Sequence, residues 1–237
     1  VGPKVSEPLK VEIWSDVQCP WCFIGKRRFE TALATSGENV EITYRSFELA
    51  PDTPGELERT PADYLSDRKG NSPDQARAMM AQVTEVAAGE GLAYDFDHVH
   101  QTNTVLAHEL LHLARERGLQ AELKERLLAA YFEQGRHIGK VDELVALGSD
   151  VGLDAEEARA VLTDHRYLPA VKADVAQARA YGINGVPFFV LDGALGVSGA
   201  QSPDVFVAAL AQARAARTPQ AGAACGVPSC RSRWRTA

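Results

Sequence analysis

The chain has 237 residues, of which 45% are hydrophobic, so it can bury a core the size of one large domain or of a domain with an insertion. Its formal net charge is −7 and no basic stripe is visible, which argues against nucleic acid as the main partner. No window approaches the roughly 18 apolar residues of a membrane span, and residues 1–10 lack a signal-peptide core. We therefore predict a cytoplasmic protein without a membrane partner.

The chain begins with a strand–helix–strand pattern. Residues 11–15 (VEIWS) predict a short buried strand, and a helix is expected from the cysteines at 19 and 22 to about Ser36, with Gly37 as its stop. Residues 40–47 (VEITYRSF) alternate in polarity and predict a second strand.

A helical block follows the second strand. From about residue 60 to residue 181 the sequence is rich in Ala, Leu, Glu and Arg, and apolar residues recur at helical spacing. Six helices are predicted between the breaks at Gly70-Asn71-Ser72-Pro73, Gly91, Gly118, Gly135, Gly148 and Gly152.

Strand character returns after the helical block. Residues 187–191 (PFFVL) and 195–198, joined by Asp192-Gly193, predict a β-hairpin. A last helix is expected to run to about residue 216, with Ser202 as its N-cap.

Without the helical block, this order of elements is β-α-β followed by β-β-α, the minimal thioredoxin arrangement. We predict an α/β thioredoxin fold with a large all-helical domain inserted between its two halves. The predicted domains are 9–50 with 182–217 for the thioredoxin-like part, 51–181 for the helical insertion, and 218–237 for a C-terminal tail.

Cys19-Pro20-Trp21-Cys22 places two cysteines at positions one and four of a helix start. Unpaired N–H groups and the positive end of the helix dipole stabilise a thiolate there, which predicts a lowered pKa for Cys19. Cys19 would then attack a substrate disulfide, and Cys22, expected to be more buried, would resolve the mixed disulfide. Trp21 would present a flat apolar surface to the substrate. A structural zinc site completed by Cys225 and Cys230 is the alternative.

Val186-Pro187 begins the hairpin and is a candidate cis peptide. In thioredoxin-type proteins, which this pattern resembles, such a proline faces the dithiol, and the backbone of the residue before it, here Val186, binds an extended substrate strand. An ordinary trans proline at a strand start is the alternative.

Cys225 and Cys230 form a C-x4-C pair in the Gly/Pro-rich tail. One interpretation is a second redox centre that exchanges electrons with Cys19 and Cys22. The alternative is a static disulfide.

DVQCPWCFIGKRR (residues 16–28), GVPFFV (residues 185–190) and the long helical insertion resemble the DsbA-like thiol–disulfide oxidoreductases, in particular the FrnE-like subgroup. The resemblance covers residues 9–217. It implies that Cys19 is the nucleophile, Cys22 the resolving thiol and Pro187 the cis-proline. It also implies no tightly bound cofactor, and protein thiols and disulfides, or small thiols such as glutathione, as partners.

Relatives with the same fold leave a second function open, a glutathione-dependent isomerase or transferase of the 2-hydroxychromene-2-carboxylate isomerase or kappa-class type. Asn103-Thr104 with Ala107-His108 resembles a stretch that these relatives place near the active site, so Asn103 is a candidate substrate-binding residue. Its alternative role is to cap the following helix. A third hypothesis is a chaperone-like binding module.

Two histidine patterns are candidate metal sites. His98 and His100 lie in an acidic loop, and His108-Glu109-Leu110-Leu111-His112 matches the H-E-x-x-H zinc pattern. The second pattern also suits an ordinary amphipathic helix, and no third ligand is evident. We therefore predict no metal, and a protein disulfide oxidoreductase, with isomerase activity left open.

Overall fold

The computed structural model describes residues 7–55, 57, 59–217 and 235–236. These residues form one mixed sheet with the strand order β2-β1-β3-β4-β5. The strands are β1 (Leu9–Ser15), β2 (Val40–Ser46), β3 (Phe188–Leu191), β4 (Leu195–Ser198) and β5 (Arg235–Thr236). β1 runs parallel to β2 and antiparallel to β3, β3 is antiparallel to β4, and the unpredicted β5 runs parallel to β4.

The described residues form nine α-helices. They are α1 (Pro20–Ser36), α2 (Pro61–Lys69), α3 (Pro73–Gly89), α4 (Val105–Glu116), α5 (Gln120–Phe132), α6 (Val141–Asp150), α7 (Ala155–Thr163), α8 (Leu168–Ala180) and α9 (Pro203–Arg217). Seven of them, α2 to α8, lie between β2 and β3 in the chain. The thioredoxin arrangement with a helical insertion is therefore confirmed, and the number of inserted helices is one more than predicted. None of these helices is long and apolar enough to cross a membrane.

The difference in helix number has a local cause. Gly148 was predicted to break a helix but lies inside α6, where a Cβ would be 3.3 Å from Cδ1 of Leu153, so its small size serves packing. The missed break separates α7 from α8. There His165 adopts a φ of 51°. This left-handed conformation is usually signalled by a glycine, and the residue here is a histidine.

The two ends of α1 follow from its sequence. Pro20 occupies the first helical position, where a missing N–H costs nothing. Gly37 ends the helix with a φ of 65°, and its N–H donates to the carbonyl of Leu33 at 3.0 Å. The strand bounds differ from the prediction by at most two residues, with β1 beginning at Leu9 instead of residue 11.

Helix α1 belongs to two hydrophobic clusters. Its Phe29 packs with Phe189 of β3 and Phe206 of α9 on one face of the sheet. Its Phe23 and Ile24 belong to the cluster formed by the inserted helices. Because one helix serves both cores, the predicted domain boundaries at residues 50 and 181 stay a prediction.

Helix α8 covers the other face of the sheet. Trp14 of β1 is fully buried beside Ala178 and Ile183, and its Nε1 donates to the carbonyl of Asp174 at 3.0 Å. The predicted tail pair, Cys225 and Cys230, lies outside the described residues.

Candidate active site

Cys19 and Cys22 lie at the start of α1, shortly after the end of β1, and both are free thiols. Cys19 is the N-cap of α1 and Cys22 its third residue, with the N–H of Cys22 donating to the carbonyl of Cys19 at 3.0 Å. Each cysteine is 3% exposed, so the expectation that Cys22 is the more buried one is wrong. The cis-proline loop contacts Cys19 through the carbonyl of Val186.

The two thiols titrate as a pair. The hydrogen bond to Cys22, together with burial, raises the pKa of Cys19 well above its usual value. Burial opposes ionisation of Cys22, but its bond to Cys19, the charge of Lys124 and the hydroxyl of Ser15 together lower the pKa of Cys22. These directions belong to the pair of thiols and not to either one alone, so the low pKa predicted for Cys19 stays a prediction.

The Val186–Pro187 peptide bond is cis, as predicted. It faces the dithiol, since the Cys19 thiol donates to the carbonyl oxygen of Val186 at 3.4 Å. The carbonyl of Pro187 in turn accepts the N–H of Gly199 at 2.9 Å, which ties the loop to the end of β4.

Gly25 is a site residue that the sequence interpretation missed. A Cβ at this position would lie 2.9 Å from Cγ of Pro187 and 3.4 Å from Cβ of Ala200. The absence of a side chain lets the proline ring pack against α1 one turn beyond Cys22. A glycine inside a predicted helix was the signal that could have revealed it.

Asp16, in the turn between β1 and Cys19, is a second missed residue. Its side chain is completely buried, and it accepts the N–H of Leu49 at 2.8 Å and contacts Nε2 of His108 at 3.3 Å. Burial opposes its ionisation, but the contact with His108 and the Leu49 N–H lower the pKa of Asp16. A carboxylate therefore stands directly behind the dithiol, and its charge raises the pKa of Cys19.

The inserted segment also contacts the dithiol motif, through the loop between α3 and α4. The hydroxyl of Tyr94, which precedes α4, donates to the carbonyl of Pro20 at 2.6 Å, and its ring stacks on Phe23 at 6.2 Å between centroids. Trp21 is 41% exposed and is one of the large apolar side chains that the described chain leaves open to a partner.

Both polar atoms of the Asn103 side chain form hydrogen bonds with backbone groups. Its Oδ1 accepts the N–H of Val105 at 2.8 Å, and its Nδ2 donates to the carbonyl of Pro51 at 3.1 Å. These contacts match the capping interpretation, although the N-cap of α4 is Thr104. A role for Asn103 in substrate binding stays a prediction.

The histidines considered as metal ligands have separate partners. His108 binds Asp16, whereas Nε2 of His112 contacts Oδ2 of Asp174 at 3.2 Å. His98 contacts Asp95 at 2.7 Å through Nδ1. Within the described ranges no three His, Cys, Asp or Glu side chains are grouped so as to hold a metal ion.

A sheet of this order, with a dithiol at the start of α1 facing a cis-proline, defines a thioredoxin-fold protein of the thiol–disulfide class. Within that class, the chain belongs to the DSBA-like thioredoxin domain family, whose model matches residues 10–211. It is therefore a member of a thiol–disulfide oxidoreductase family, which confirms the resemblance to the DsbA-like proteins; membership of the FrnE-like subgroup stays a prediction.

Three proteins resemble this chain to different degrees. A probable DsbA oxidoreductase from Streptomyces coelicolor is 43% identical, with a TM-score of 0.84 over 93% of this chain and 100% of the other. The Bacillus subtilis protein YwbO is 29% identical over 204 residues, 85% of this chain and 96% of YwbO. The cytosolic disulfide reductase DsbM of Pseudomonas aeruginosa, in a structure with glutathione, is 18% identical, with a TM-score of 0.51 over 87% of this chain and 96% of DsbM. That identity shows a shared fold alone.

Proposed function

We propose that this protein catalyses thiol–disulfide exchange through Cys19 and Cys22. The observation that carries the proposal is the pair of free thiols at the start of α1, with Cys19 3.4 Å from the carbonyl oxygen of Val186 at the cis-proline. Family membership supports the reaction class.

Exchange begins when the Cys19 thiol loses its proton to solvent. The Cys19 thiolate attacks a substrate disulfide, one sulfur–sulfur bond forms as another breaks, and the first substrate sulfur leaves as a thiolate. Cys22, after losing its proton to that thiolate or to solvent, attacks Cys19, and the second substrate sulfur leaves as a thiolate that takes a proton from solvent. The products are a Cys19–Cys22 disulfide and two substrate thiols, with two electrons moved from protein to substrate. The reverse sequence oxidises a substrate dithiol.

Val186 and Trp21 would position the substrate. An extended main chain can lie along the backbone of Val186, in the manner of an added strand, with its sulfur beside Cys19. The exposed ring of Trp21 gives apolar neighbours of that sulfur a flat surface to pack against.

The substrates we propose are protein thiols and disulfides, with glutathione or another small thiol as redox partner. A structure of DsbM, which has the same fold, contains glutathione, and a small thiol as redox partner of this protein is compatible with that structure. Isomerisation of wrongly paired disulfides and a cytoplasmic location are parts of the same proposal. Refolding of a scrambled disulfide protein and cell fractionation test them.

Insulin reduction in the presence of dithiothreitol tests the function. We expect the unaltered protein to accelerate insulin precipitation, and Cys19→Ser and Cys22→Ser to abolish the acceleration. A glutathione-dependent isomerase would instead bind glutathione saturably and keep its activity in Cys22→Ser. A binding module would suppress aggregation even when both cysteines are replaced.

We further propose that Cys225 and Cys230 relay electrons to or from the Cys19–Cys22 pair. The support is their C-x4-C spacing in a tail that follows α9. Replacing both with Ser should slow recycling of the Cys19–Cys22 disulfide by an external dithiol, while single-turnover exchange stays unchanged. Unchanged recycling would dismiss the relay.

A further inference from the structure

Arg28, on α1, binds two partners from different parts of the molecule. Its Nε donates to Oε1 of Glu90 at 2.6 Å, and its Nη1 donates to the carbonyl oxygen of Ala200 at 2.7 Å. Glu90 is the C-cap of α3 in the inserted segment, and Ala200 lies in the turn between β4 and α9. Because the donors of a guanidinium lie in a rigid plane, Arg28 holds these two parts in a fixed relation to α1.

The turn that Arg28 binds also binds Pro187. The N–H of Gly199 donates to the carbonyl of Pro187 at 2.9 Å, and Gly199 has a φ of 82°, in the left-handed region that favours glycine. Ala200 packs over α1, since a Cβ added at Gly25 would lie 3.4 Å from the Cβ of Ala200. The position of the Pro187 carbonyl therefore depends on where Arg28 holds this turn.

Val186 connects Pro187 to the dithiol. The thiol of Cys19 donates to the carbonyl oxygen of Val186 at 3.4 Å. The proposed function places an extended substrate backbone along Val186, so its distance from the Cys19 sulfur decides how well a polypeptide fits. The series of contacts that begins at Arg28 thus ends at the backbone group beside the reactive sulfur.

The neighbouring arginine on α1 has other partners. Arg27 pairs with Glu30 at 3.0 Å and also with Glu125 of α5, and its Cζ lies 4.9 Å from the ring centroid of Phe23. These contacts join α1 to the inserted segment, as the Arg28–Glu90 pair does, but they do not reach the turn after β4. Arg27 therefore separates the effect of that turn from a general effect of α1.

We propose that Arg28 is a positioning residue that holds the Val186 backbone where a polypeptide substrate can bind beside Cys19, and so makes the site favour polypeptide disulfides over small ones. The inference rests on the proposed exchange reaction. Glu90 fixes the guanidinium from the inserted segment, and the guanidinium fixes the turn after β4. A polypeptide uses both the Cys19 sulfur and the Val186 backbone, whereas a small disulfide needs the sulfur alone.

Arg28→Met removes both hydrogen bonds and keeps most of the length of the side chain. In insulin reduction we expect KM to rise about tenfold while kcat stays within about twofold, because the loss of one charge-assisted hydrogen bond weakens substrate binding by about that factor. Reduction of hydroxyethyl disulfide should change less than about twofold, since this molecule is too short to bind as a strand. An equal loss on both disulfides, or an unchanged KM for insulin, would overturn the proposal.

Arg27→Met is the matched control. It removes the same charge one position earlier on α1, together with ion pairs that are partly open to solvent. We expect less than about a twofold change with either disulfide, because exposed pairs of this kind contribute little. A rise in the KM for insulin as large as that of Arg28→Met would show a general effect of α1 and contradict the role of the turn.

Arg28→Lys provides a second variant should Arg28→Met fail to fold. Lysine keeps the charge and a donor, but it lacks the fixed geometry of the guanidinium. The KM for insulin should rise less than in Arg28→Met, and the reduction of hydroxyethyl disulfide should stay unchanged. A loss of the same size on both disulfides would again contradict the proposal.

Hydrogen exchange separates this inference from the proposed function, because it needs no redox activity. In Arg28→Met the amide of Gly199 should exchange about tenfold faster, since its bond to Pro187 opens more often once the turn is released. The amide of Asp192, which donates to the carbonyl of Lys10 at 2.7 Å at the other end of β3, should keep its rate. Equal acceleration at both amides, or none at Gly199, would overturn the role of Arg28. Failure of the exchange function would instead appear as an unaltered protein that reduces neither disulfide.

Discussion

Gly25 leaves the space that the Pro187 ring occupies beside the dithiol. A Cβ at this position would come within 2.9 Å of Cγ of Pro187, closer than unstrained packing allows. We expect Gly25→Ala to lower the free energy of unfolding by about 1–3 kcal/mol, the usual cost of overpacking, and to slow insulin reduction. Urea denaturation and the turnover assay measure the two effects.

Gly89 provides the matched control for that substitution. It lies in α3, where an added Cβ would meet no described atom within 4 Å. Gly89→Ala should leave turnover unchanged and raise stability slightly, because alanine is the better helix former. Equal effects at both glycines would refute the packing role of Gly25.

Asp16 predicts a specific pH dependence. Its folded-state pKa is lowered, so its contribution to stability is fully present above the unfolded value of about 3.9 and is lost as the pH falls through the folded value. Asp16→Asn should cost about 1–3 kcal/mol at pH 7, because a buried charge-assisted contact is lost. The difference from the unaltered protein should shrink below about pH 4.

Urea denaturation at pH 7 and pH 3 measures that difference, with the exposed Asp97→Asn as control. A loss of the same size at both pH values would contradict the role assigned to the Asp16 carboxylate. The substitution should also shift Cys19 alkylation to lower pH, because the Asp16 charge raises the pKa of Cys19.

The site was predictable from the sequence where its residues lie close together in the chain. Cys19, Cys22 and the cis-proline were recognisable because each sits in a local pattern that starts a helix or a strand. Tyr94 and Lys124 were not predictable in this way. Tyr94 contacts Pro20, which is 74 positions away in the chain, and Lys124 of α5 contacts Tyr44 of β2. Such contacts depend on how the inserted helices pack, which periodicity does not encode.

At the scale of elements, the start of α3 is held by a capping box. The Ser72 hydroxyl accepts the N–H of Gln75 at 3.2 Å, and the Gln75 side chain accepts the N–H of Ser72 at 2.9 Å. Ser72→Ala should cost about 0.5–2 kcal/mol of unfolding free energy, whereas Ser72→Asp should keep it, because a carboxylate also caps. Thermal unfolding distinguishes the two variants. An equal loss of unfolding free energy in both would contradict the capping role.

Helix boundaries were predictable where glycine or proline marks them. The break before α3 carries Gly70 and Pro73, and the break before α5 carries Gly118. The turn at His165 contains no glycine, although Pro169 in the first turn of α8 marks the helix start that follows. Nδ1 of His165 contacts buried Glu109 at 2.9 Å, so a tertiary contact accompanies the break. Gly148 shows the opposite case, a glycine whose role is close packing inside a helix.

At the scale of the whole molecule, α1 joins the sheet core to the core of the inserted helices. Phe29 lies in the first cluster, and Phe23 and Ile24 lie in the second. We therefore expect one cooperative unfolding transition, with equal calorimetric and van't Hoff enthalpies, because α1 cannot leave one core without disturbing the other. Two resolved transitions would show that the inserted helices form an independent unit.

This shared helix also carries the dithiol, with the cis-proline on one side and Tyr94 on the other. Trapping a mixed disulfide tests the central claim, that Cys19 is the sulfur that attacks the substrate. Cys22→Ser and Cys19→Ser are each incubated with an oxidised model protein and digested for mass spectrometry. We predict a stable adduct on Cys19 in Cys22→Ser and little adduct on Cys22 in Cys19→Ser. An adduct that forms on Cys22 instead would contradict the account.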